Sequence, residues 1–382
     1  MDADDVVRLR LRRQQLRPPN ADSAESALQN LLAVQSQEFA YARWSLGQRT
    51  TNPSAADVEQ AVADGRILRT HILRPTWHCV HRDDLRWLTM LSAPRLQQAN
   101  ARTYRQTGID AAAASRSARV LAGAVAGGAH KTRDQLAAEL QRHGFTAKGL
   151  ELAYLIMHAE ISGVLVSGTP VRSAGGALRQ TYALFDERVP QFPDAPVDRP
   201  AALTELVRRY FTSRGPATVK DCADWSGLTV TDVRLGLRLM LEAEPGALRA
   251  AVLDGVEFYL SPDASGPEGE TSDTGTSDAG TSEAELQGRT RIDLIQCYDE
   301  YVMGYSRTRH FLGGIAPAVP QRDTPPHVVL QGGRMVGSWR HVLARGRCEL
   351  DIRTGLDSAA DPAIDDAVAA YGRFLGMPTT RK

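Results

Sequence analysis

The chain has 382 residues, and its 42% hydrophobic and 24% charged residues are typical of a globular protein. This length exceeds one ordinary core, so we expect two or three domains. The 45 basic and 45 acidic residues cancel, and the net charge gives no support for nucleic-acid or membrane binding. No apolar run approaches the ~20 residues of a membrane span. The four cysteines lie far apart, which argues against a zinc ribbon and predicts reduced thiols in the cytoplasm.

Two stretches divide the chain. Residues 188–201 contain four prolines, which break regular structure. Residues 263–288 hold seven acidic residues, no basic residue and almost nothing to bury, so we predict an acidic disordered linker. The predicted parts are therefore 1–190, 197–262 and 289–382.

The first part ends in a recognisable order of elements. Thr132 and Gln135 form a capping-box pattern, and apolar residues at helical spacing follow until Gly144. A second helix is predicted over residues 148–162. The strand "VLVSG", a Gly-rich loop and the strand "QTYALF" come next. Two helices followed by a hairpin predict a winged helix.

The second part repeats this order. Thr218, with Asp221 three residues later, predicts the start of one helix, and Thr231 is predicted as the cap of the next. Asp254-Gly255 then joins two alternating strands, which is a strong hairpin signal. The C-terminal part has strands "HVVLQ", "RMVGSW" and "CELDI" and an amphipathic helix near residues 363–375. The predicted class is α+β and helix-rich, with tandem winged helices and a C-terminal β-containing region.

A winged helix can place a helix in the DNA major groove and its wing on a phosphate. Basic residues of both units are candidates for the DNA backbone, since arginine and lysine neutralise phosphates. These candidates are Lys131, Arg133, Lys148, Arg172, Arg179 and Lys220. Arg74, which lies before both units in the sequence, is a further candidate. Winged helices also serve as protein-interaction modules, and scattered basic residues are usually a solvated surface, so the units alone leave both functions open.

Several common catalytic patterns are missing from the sequence, including GxGxxG, the P-loop, HExxH and GxSxG. His71, His78 and His81 resemble a metal cluster, but no regular element brings all three to one face. The neighbours Asp299 and Glu300 should point in different directions, which argues against a paired-carboxylate hydrolase. We expect neither a metal nor a cofactor.

Gln35 and Gln37 stand out in the apolar run "LLAVQSQ". On a helix they would face apart, whereas a strand or turn lets both face one pocket. Glutamine cannot act as a general base, but it can donate and accept hydrogen bonds and so orient a water. That suffices for the N-glycosidic bond of a cationic alkylated purine, since the base leaves neutral. Alternatively, both amides only satisfy backbone groups.

The sequence resembles the winged-helix DNA glycosylases of the AlkZ and YcaQ kind over most of its length. The matching segments are "LLAVQSQ", "ILRTHILRPTWHCVHRDDLRWL", "AEISGVLVSG", "QTYALFDERVP", "YFTSRGPATVKDCADWSGLT", "YDEYVMGY" and "GRMVGSWR". The resemblance implies tandem winged helices in a C-shaped molecule with a basic concave face. It also implies excision of alkylated bases, including the unhooking of crosslinks made by DNA-alkylating natural products.

The family's Gln-x-Gln motif falls on Gln35 and Gln37, which the resemblance makes the catalytic residues. The YcaQ kind has Asp at the second position, so this chain is more similar to the AlkZ kind. The residue between the glutamines is usually apolar and here is Ser36. A hydroxyl at a packed position would loosen the site.

The family pattern also marks Thr76, Trp77 and His78 as substrate-binding candidates. Trp77 would stack on a base or sugar, and His78 would meet a phosphate; a core tryptophan is the alternative for Trp77. Asp299 and Tyr305 are further candidates. A carboxylate would favour a sugar cation, although Asp299 could instead cap a helix.

We therefore predict a bacterial, cytoplasmic and nucleoid-associated monomer that binds alkylated double-stranded DNA, not membranes. The predicted activity is that of a monofunctional DNA glycosylase without cofactor or metal, since no lysine suggests a Schiff base. Two alternatives stay open from the residues. One is a non-catalytic transcriptional regulator, and the other is a resistance protein that sequesters an alkylating metabolite.

Overall fold

The computed structural model describes residues 1–173, 178–262, 290–313, 326–344 and 346–382. The predicted acidic linker lies outside these residues. The fold is mixed α+β, as predicted, with more residues in helices than in strands. The helices are α1 (Ala3–Arg13), α2 (Ala24–Leu31), α3 (Phe39–Gly47), α4 (Ala55–Ala63), α5 (Arg82–Gln106), α6 (Ala111–Val125), α7 (Arg133–Arg142), α8 (Gly149–Ile161), α9 (Phe185–Arg188), α10 (Arg199–Arg214), α11 (Val219–Ser226), α12 (Val230–Ala243), α13 (Glu300–Met303) and α14 (Asp361–Leu375).

The strands form five sheets in the described part of the chain. They are β1 (Ala33–Gln35), β2 (Ile67–His71), β3 (Trp77–His81), β4 (Lys131–Thr132), β5 (Leu165–Ser167), β6 (Val171–Arg172), β7 (Leu178–Arg179), β8 (Thr181–Leu184), β9 (Arg249–Leu253), β10 (Val256–Leu260), β11 (Ile292–Ile295), β12 (His327–Gln331), β13 (Arg334–Ala344), β14 (Arg347–Thr354) and β15 (Thr379–Arg381). Short 3-10 turns cover Arg309–Leu312 and Ser358–Ala360.

The N-terminal sheet has the order β1-β3-β2, with β1 at an edge. Its strands are antiparallel, and Gln35 lies opposite His78. The helix α2 ends at Leu31, and Leu32, with φ of 65°, turns the chain directly into β1. Leu32, Ala33 and Val34 are fully buried, which fixes the strand against the core.

The region from α6 to β8 forms the first repeated unit. Its sheet has the order β4-β8-β5, and α7 and α8 lie between β4 and β5 in the chain. The predicted capping box is confirmed, because the Thr132 side chain accepts from Gln135 N and Gln135 accepts from Thr132 N. Apolar residues of α6, α7 and α8 share one core, including Leu121, Leu136 and Leu155.

The region from α10 to β10 has the same order of elements. Ala217, directly before α11, bridges Tyr259 of β10, and β10 pairs with β9. The predicted hairpin turn is confirmed, with φ of 51° at Asp254 and 74° at Gly255. The helices α10 and α12 approach so closely that a Cβ on Gly236 would lie 2.6 Å from the Leu203 carbonyl oxygen.

Thr218 caps α11 in a box with Asp221, as predicted, but the cap predicted at Thr231 is wrong. The helix α12 begins two residues earlier than predicted, at Val230, with Thr229 as its cap. Thr229 has Asp232 at the third helical position, so both side chains bond reciprocally to backbone N–H groups. Thr231 would have Arg234 there, which cannot accept a hydrogen bond.

The C-terminal sheet has the order β11-β12-β13-β14-β15. Its core is shared with the start of the chain, since Leu28, Val34 and Trp44 belong to one buried cluster with Trp339 and Tyr371. The Trp44 indole donates to the Leu294 carbonyl oxygen at 2.6 Å. The domain limits drawn from the sequence stay a prediction. No helix in the described residues is long and apolar enough to span a membrane.

Candidate active site

Gln35 is the last residue of β1 and is buried, with 3% of its surface exposed. Its side-chain Oε1 accepts a hydrogen bond from Arg74 Nη2 at 2.7 Å. Its backbone N–H donates to Glu300 Oε1 at 2.9 Å, and its carbonyl accepts from Gln296 Nε2 at 3.2 Å. Contacts to three different side chains therefore hold this glutamine, two of them from the segment after β11.

Gln37 lies two residues beyond, where the chain has left the strand, and it is exposed. Its amide oxygen accepts from the Trp77 backbone N–H at 3.3 Å. Ser36 N–H donates to the Trp77 carbonyl at 2.7 Å, so the motif stays attached to the end of β3. The structure thus brings Gln35, Gln37 and the predicted residues Trp77 and His78 together.

Ser36 is fully buried between the two glutamines. Arg69 Nε donates to the Ser36 carbonyl at 3.0 Å and to its hydroxyl at 3.2 Å, and Arg69 Nη2 donates to the same carbonyl at 2.8 Å. The hydroxyl therefore has a partner. The expectation that it loosens the site finds no support in these contacts, because a paired buried hydroxyl escapes the desolvation penalty.

Trp77 is half-buried and packs against two charged or polar groups. Arg69 Cζ lies 4.2 Å from the ring centroid, and the His71 ring centroid lies 4.1 Å away. His71 in turn contacts the buried Glu160, with Nδ1 and Oε2 2.7 Å apart. These contacts fix the indole, and its role in stacking on a base stays a prediction.

His78 is fully buried, and its pKa lies well below the usual value, first because of burial and second because of the positive charge on Arg74. Its Nδ1 lies 3.0 Å from the Thr76 carbonyl, and its Nε2 lies 3.4 Å from Arg74 Nη2. His78 is therefore neutral near pH 7. The Thr76 hydroxyl oxygen is buried and has no hydrogen-bond partner among the described residues.

Asp299 and Tyr305 are enclosed away from solvent. Asp299 caps α13 through Tyr301 N–H and accepts two bonds from Arg49, at 2.7 and 2.9 Å. The Tyr305 hydroxyl donates to the Arg214 carbonyl at 2.8 Å and accepts from Gln14 at 2.9 Å. The capping alternative for Asp299 is confirmed. Substrate contact by either residue stays a prediction.

The predicted backbone-binding residues occupy different environments. Arg74 is half-buried against Gln35, and its guanidinium also donates to the Trp225 carbonyl. Lys131 is half-buried, whereas the others are exposed at α7, α8, α11 and the β6–β7 hairpin. Three of them have acidic neighbours, Arg172 with Glu59, Arg179 with Asp134 and Lys220 with Asp224. No hydrogen bond or ion pair in the described parts joins the exposed group to the glutamines.

Sequence reasoning missed four residues around the glutamines. They are Gln296, Arg69, Glu38 and Glu300, of which Glu300 was not recognised as a partner of Gln35. Glu38 directly follows Gln37, and partial burial raises the pKa of its carboxyl. The signal for Gln296 was present, because it is an amide in the apolar run "LIQC", the same kind of signal that singled out Gln35. In the described ranges no group of three or more His, Cys, Asp and Glu side chains could hold a metal ion.

A family model described as DNA glycosylase AlkZ-like matches residues 28–374, which include both glutamines. The solved structure of the Streptomyces sahachiroi DNA glycosylase AlkZ is similar in fold, with a TM-score of 0.71 and 20% identity over 100% of both chains. A search of curated proteins finds no significant match. Because the family model covers almost the whole chain, this protein belongs to the AlkZ-like DNA glycosylase family.

Proposed function

We propose that this DNA glycosylase hydrolyses the N-glycosidic bond of N7-alkylated purines, with Gln35 and Gln37 orienting the attacking water. The observation that carries the proposal is the arrangement of the two amides. Gln35 is buried and held at three atoms, and Gln37 is exposed beside it, with both glutamines tied to the end of β3. A held amide next to an accessible one can bind a water between the protein and the sugar.

The electrostatics of the site support a reaction without acid catalysis. Alkylation at N7 leaves a positive charge on the purine, so the departing base becomes neutral without taking up a proton. His78 is neutral and buried, and Arg74 is bound to Gln35. Their environments favour fixed positions over proton transfer. The site therefore supplies orientation, which is sufficient for a bond that is already weak.

The reaction is proposed to be monofunctional. A glycosylase that also cleaves the strand uses an amine to form a Schiff base with the sugar. No lysine hydrogen-bonds to Gln35 or Gln37 in the described part of the chain, and neither amide can take this role. Water is then the nucleophile, and an abasic site is the product.

We also propose that residues 111–184 and 199–260 are two winged helices that bind duplex DNA. Both units have a helix, a short β segment, two helices and a hairpin, with the last strand between the other two. The exposed Arg133, Lys148 and Lys220 lie on or next to helices of these units. The C-shape, the monomeric state, the nucleoid location and the unhooking of crosslinks stay predictions.

The test is release of base from a duplex that contains a single N7-methylguanine, under single-turnover conditions. We expect wild type to release the base and leave the strand intact, and Gln37→Ala to lose at least about a hundredfold in rate because the water is no longer held. Gln98→Ala removes an exposed glutamine of α5 and should behave as wild type.

Three outcomes would contradict the proposal. Wild-type rates in both Gln35→Ala and Gln37→Ala would remove the glutamines from the reaction. Protection of one operator sequence without release of any base would favour a regulator, and tight binding of a free alkylating metabolite without DNA would favour sequestration.

A further inference from the structure

Gln296 directly follows β11 and is fully buried, with Ile295 and Cys297 buried on either side of it in the chain. Its Nε2 donates to the Gln35 carbonyl at 3.2 Å. Its Oε1 is also buried and has no hydrogen-bond partner among the residues that the structure describes. An amide therefore occupies an apolar position while using only part of its hydrogen-bonding capacity.

This arrangement is unfavourable for stability. A buried acceptor without a partner loses its hydration and gains nothing in return. Methionine has nearly the same length and shape, carries no strong polar group, and fits irregular core positions. An apolar side chain would remove this cost, but it would also leave the Gln35 carbonyl without its donor, so the reason for the amide lies with Gln35.

The explanation lies at the edge of the N-terminal sheet. Strand β1 is an edge strand, and Gln35 pairs with His78 on one side only. The backbone N–H and carbonyl of Gln35 bond instead to side chains, the N–H to Glu300 and the carbonyl to Gln296. The C-terminal part of the chain thus completes the hydrogen bonding that a further strand would supply.

The two side chains differ in what else they do. Glu300 Oε2 also accepts from Arg214 at 2.7 Å and from the Trp225 indole at 2.6 Å, so this carboxylate belongs to a buried ion pair. For the Gln296 side chain the described hydrogen bonds comprise the single bond to Gln35. Its amide can therefore be removed without breaking a charge network.

We propose that Gln296 is a positioning residue for base excision, which acts by fixing the Gln35 carbonyl. This proposal rests on the proposed catalytic role of the glutamines. Loss of the bond would remove one of the three side-chain contacts that hold Gln35, from which the peptide leads directly through Ser36 to Gln37. Both amides would then lose their common orientation, and the rate would fall although the substrate still binds.

The first test compares Gln296→Met with wild type in single-turnover release of N7-methylguanine and in thermal unfolding. We expect the rate at saturating enzyme to fall about tenfold or more, because the positioning bond is lost. The melting temperature should change little, because the loss of the unpaired Oε1 offsets the loss of the donor to the Gln35 carbonyl, and the affinity for duplex DNA should not change.

The second test uses Gln296→Glu as a conditional replacement. When protonated, its carboxyl can donate to the Gln35 carbonyl as the amide does; when ionised, it only repels it. The rate of this variant should therefore decline as the pH rises through the pKa of the new carboxyl. Wild type should show no such decline over the same range.

The results separate this inference from the proposed function. Wild-type rates in Gln296→Met, with Gln35→Ala inactive, would overturn the positioning role and leave the catalytic glutamines standing. A fully active Gln35→Ala would instead overturn the proposed function. The rate of Gln296→Met could also fall only in proportion to its folded fraction, with no pH-dependent decline in Gln296→Glu. That result would show a purely structural role and would also overturn the inference.

Discussion

Asp299 and Arg49 form an ion pair from which solvent is wholly excluded, with both side chains 0% exposed. Burial raises the pKa of the Asp299 carboxyl, but the charge and hydrogen bonds of Arg49 outweigh burial, and the pKa is lowered overall. The sequence indicated a choice between sugar contact and helix capping for this residue. It could not indicate Arg49, since the partners are 250 positions apart.

Replacing Asp299 by Asn should lower the free energy of unfolding by about 3 kcal/mol, because the guanidinium of Arg49 stays buried without a counter-charge. Urea denaturation measures this loss. Asp366→Asn, on the exposed face of α14, should change stability by less than about 0.5 kcal/mol. Wild-type stability together with loss of base release would show that Asp299 acts on the substrate.

The sequence singled out Gln35 and Gln37 as the residues of interest, and the structure places them beside each other at the end of β1. The sequence did not predict β1, since three residues carry no periodic signal. That strand forms because it pairs with β3, whose residues lie 40 or more positions away in the sequence. Glu300 and Gln296 then bond to the backbone groups of Gln35 at its outer edge. Contacts between residues so far apart in the sequence cannot be predicted from a local pattern of residues.

At the scale of elements, helices and hairpins were the most predictable features. Capping boxes, the Asp-Gly turn and apolar periodicity act within a few residues, so the sequence contains the whole signal. The strand Val256–Leu260 and the strand His327–Gln331 have the predicted limits. The cap of α12 was predicted at Thr231 and lies at Thr229. Both threonines are possible caps, but only Thr229 has Asp232 three residues later to complete a capping box.

Strands β12 and β13 carry two histidines that respond to acid. Burial lowers the pKa of both His327 and His341 from 6.5 to about 4, with a smaller contribution from His341 at His327 and from Arg43 at His341. His327 Nδ1 accepts from the Cys297 N–H at 3.1 Å, so that nitrogen carries no proton in the folded state. The sheet therefore contains two imidazoles that fold in the neutral form.

Stability should therefore fall as the pH falls from about 6.5 to about 4, because the unfolded histidines bind protons that the folded ones do not. For His327 the loss across this window is about 3 kcal/mol. His327→Asn keeps an acceptor for the Cys297 N–H but cannot titrate, so it should flatten the dependence seen in urea unfolding at several pH values. An unchanged slope in His327→Asn would contradict this prediction, and His143→Asn, at the exposed end of α7, is the control.

At the scale of the whole molecule, the sequence indicated two similar units and a C-terminal β region, but it could not indicate how they pack. Buried residues of α2, β1 and α3 join the C-terminal sheet and α14 in one cluster. Folding also brings arginines near the N-terminus into contact with C-terminal residues. Arg10 and Arg17 lie close together in the sequence, and they bond to Thr308 and Asp293.

DNA binding by both repeated units predicts a specific salt dependence. Lys148 and Lys220 are exposed on different units, and each lysine that contacts a phosphate contributes about one to the slope of log affinity against log salt concentration. Lys148→Ala and Lys220→Ala should each reduce the slope by about one, measured by fluorescence anisotropy with a labelled duplex. Lys382→Ala, at the exposed chain end, should not. A slope unchanged in one variant would exclude that lysine from the phosphate contacts.

The shared core of the chain ends has a consequence for the timing of biosynthesis. Val34 and Trp44 pack against Trp339 and Tyr371, and Gln35 bonds to Gln296 and Glu300. A ribosome makes the glutamine motif before it makes these residues, which bury and hold it. A nascent chain that has not reached residue 296 therefore lacks side chains that hold the proposed site. A product that terminates before residue 296 would carry the motif without these contacts, and we expect it to excise no base.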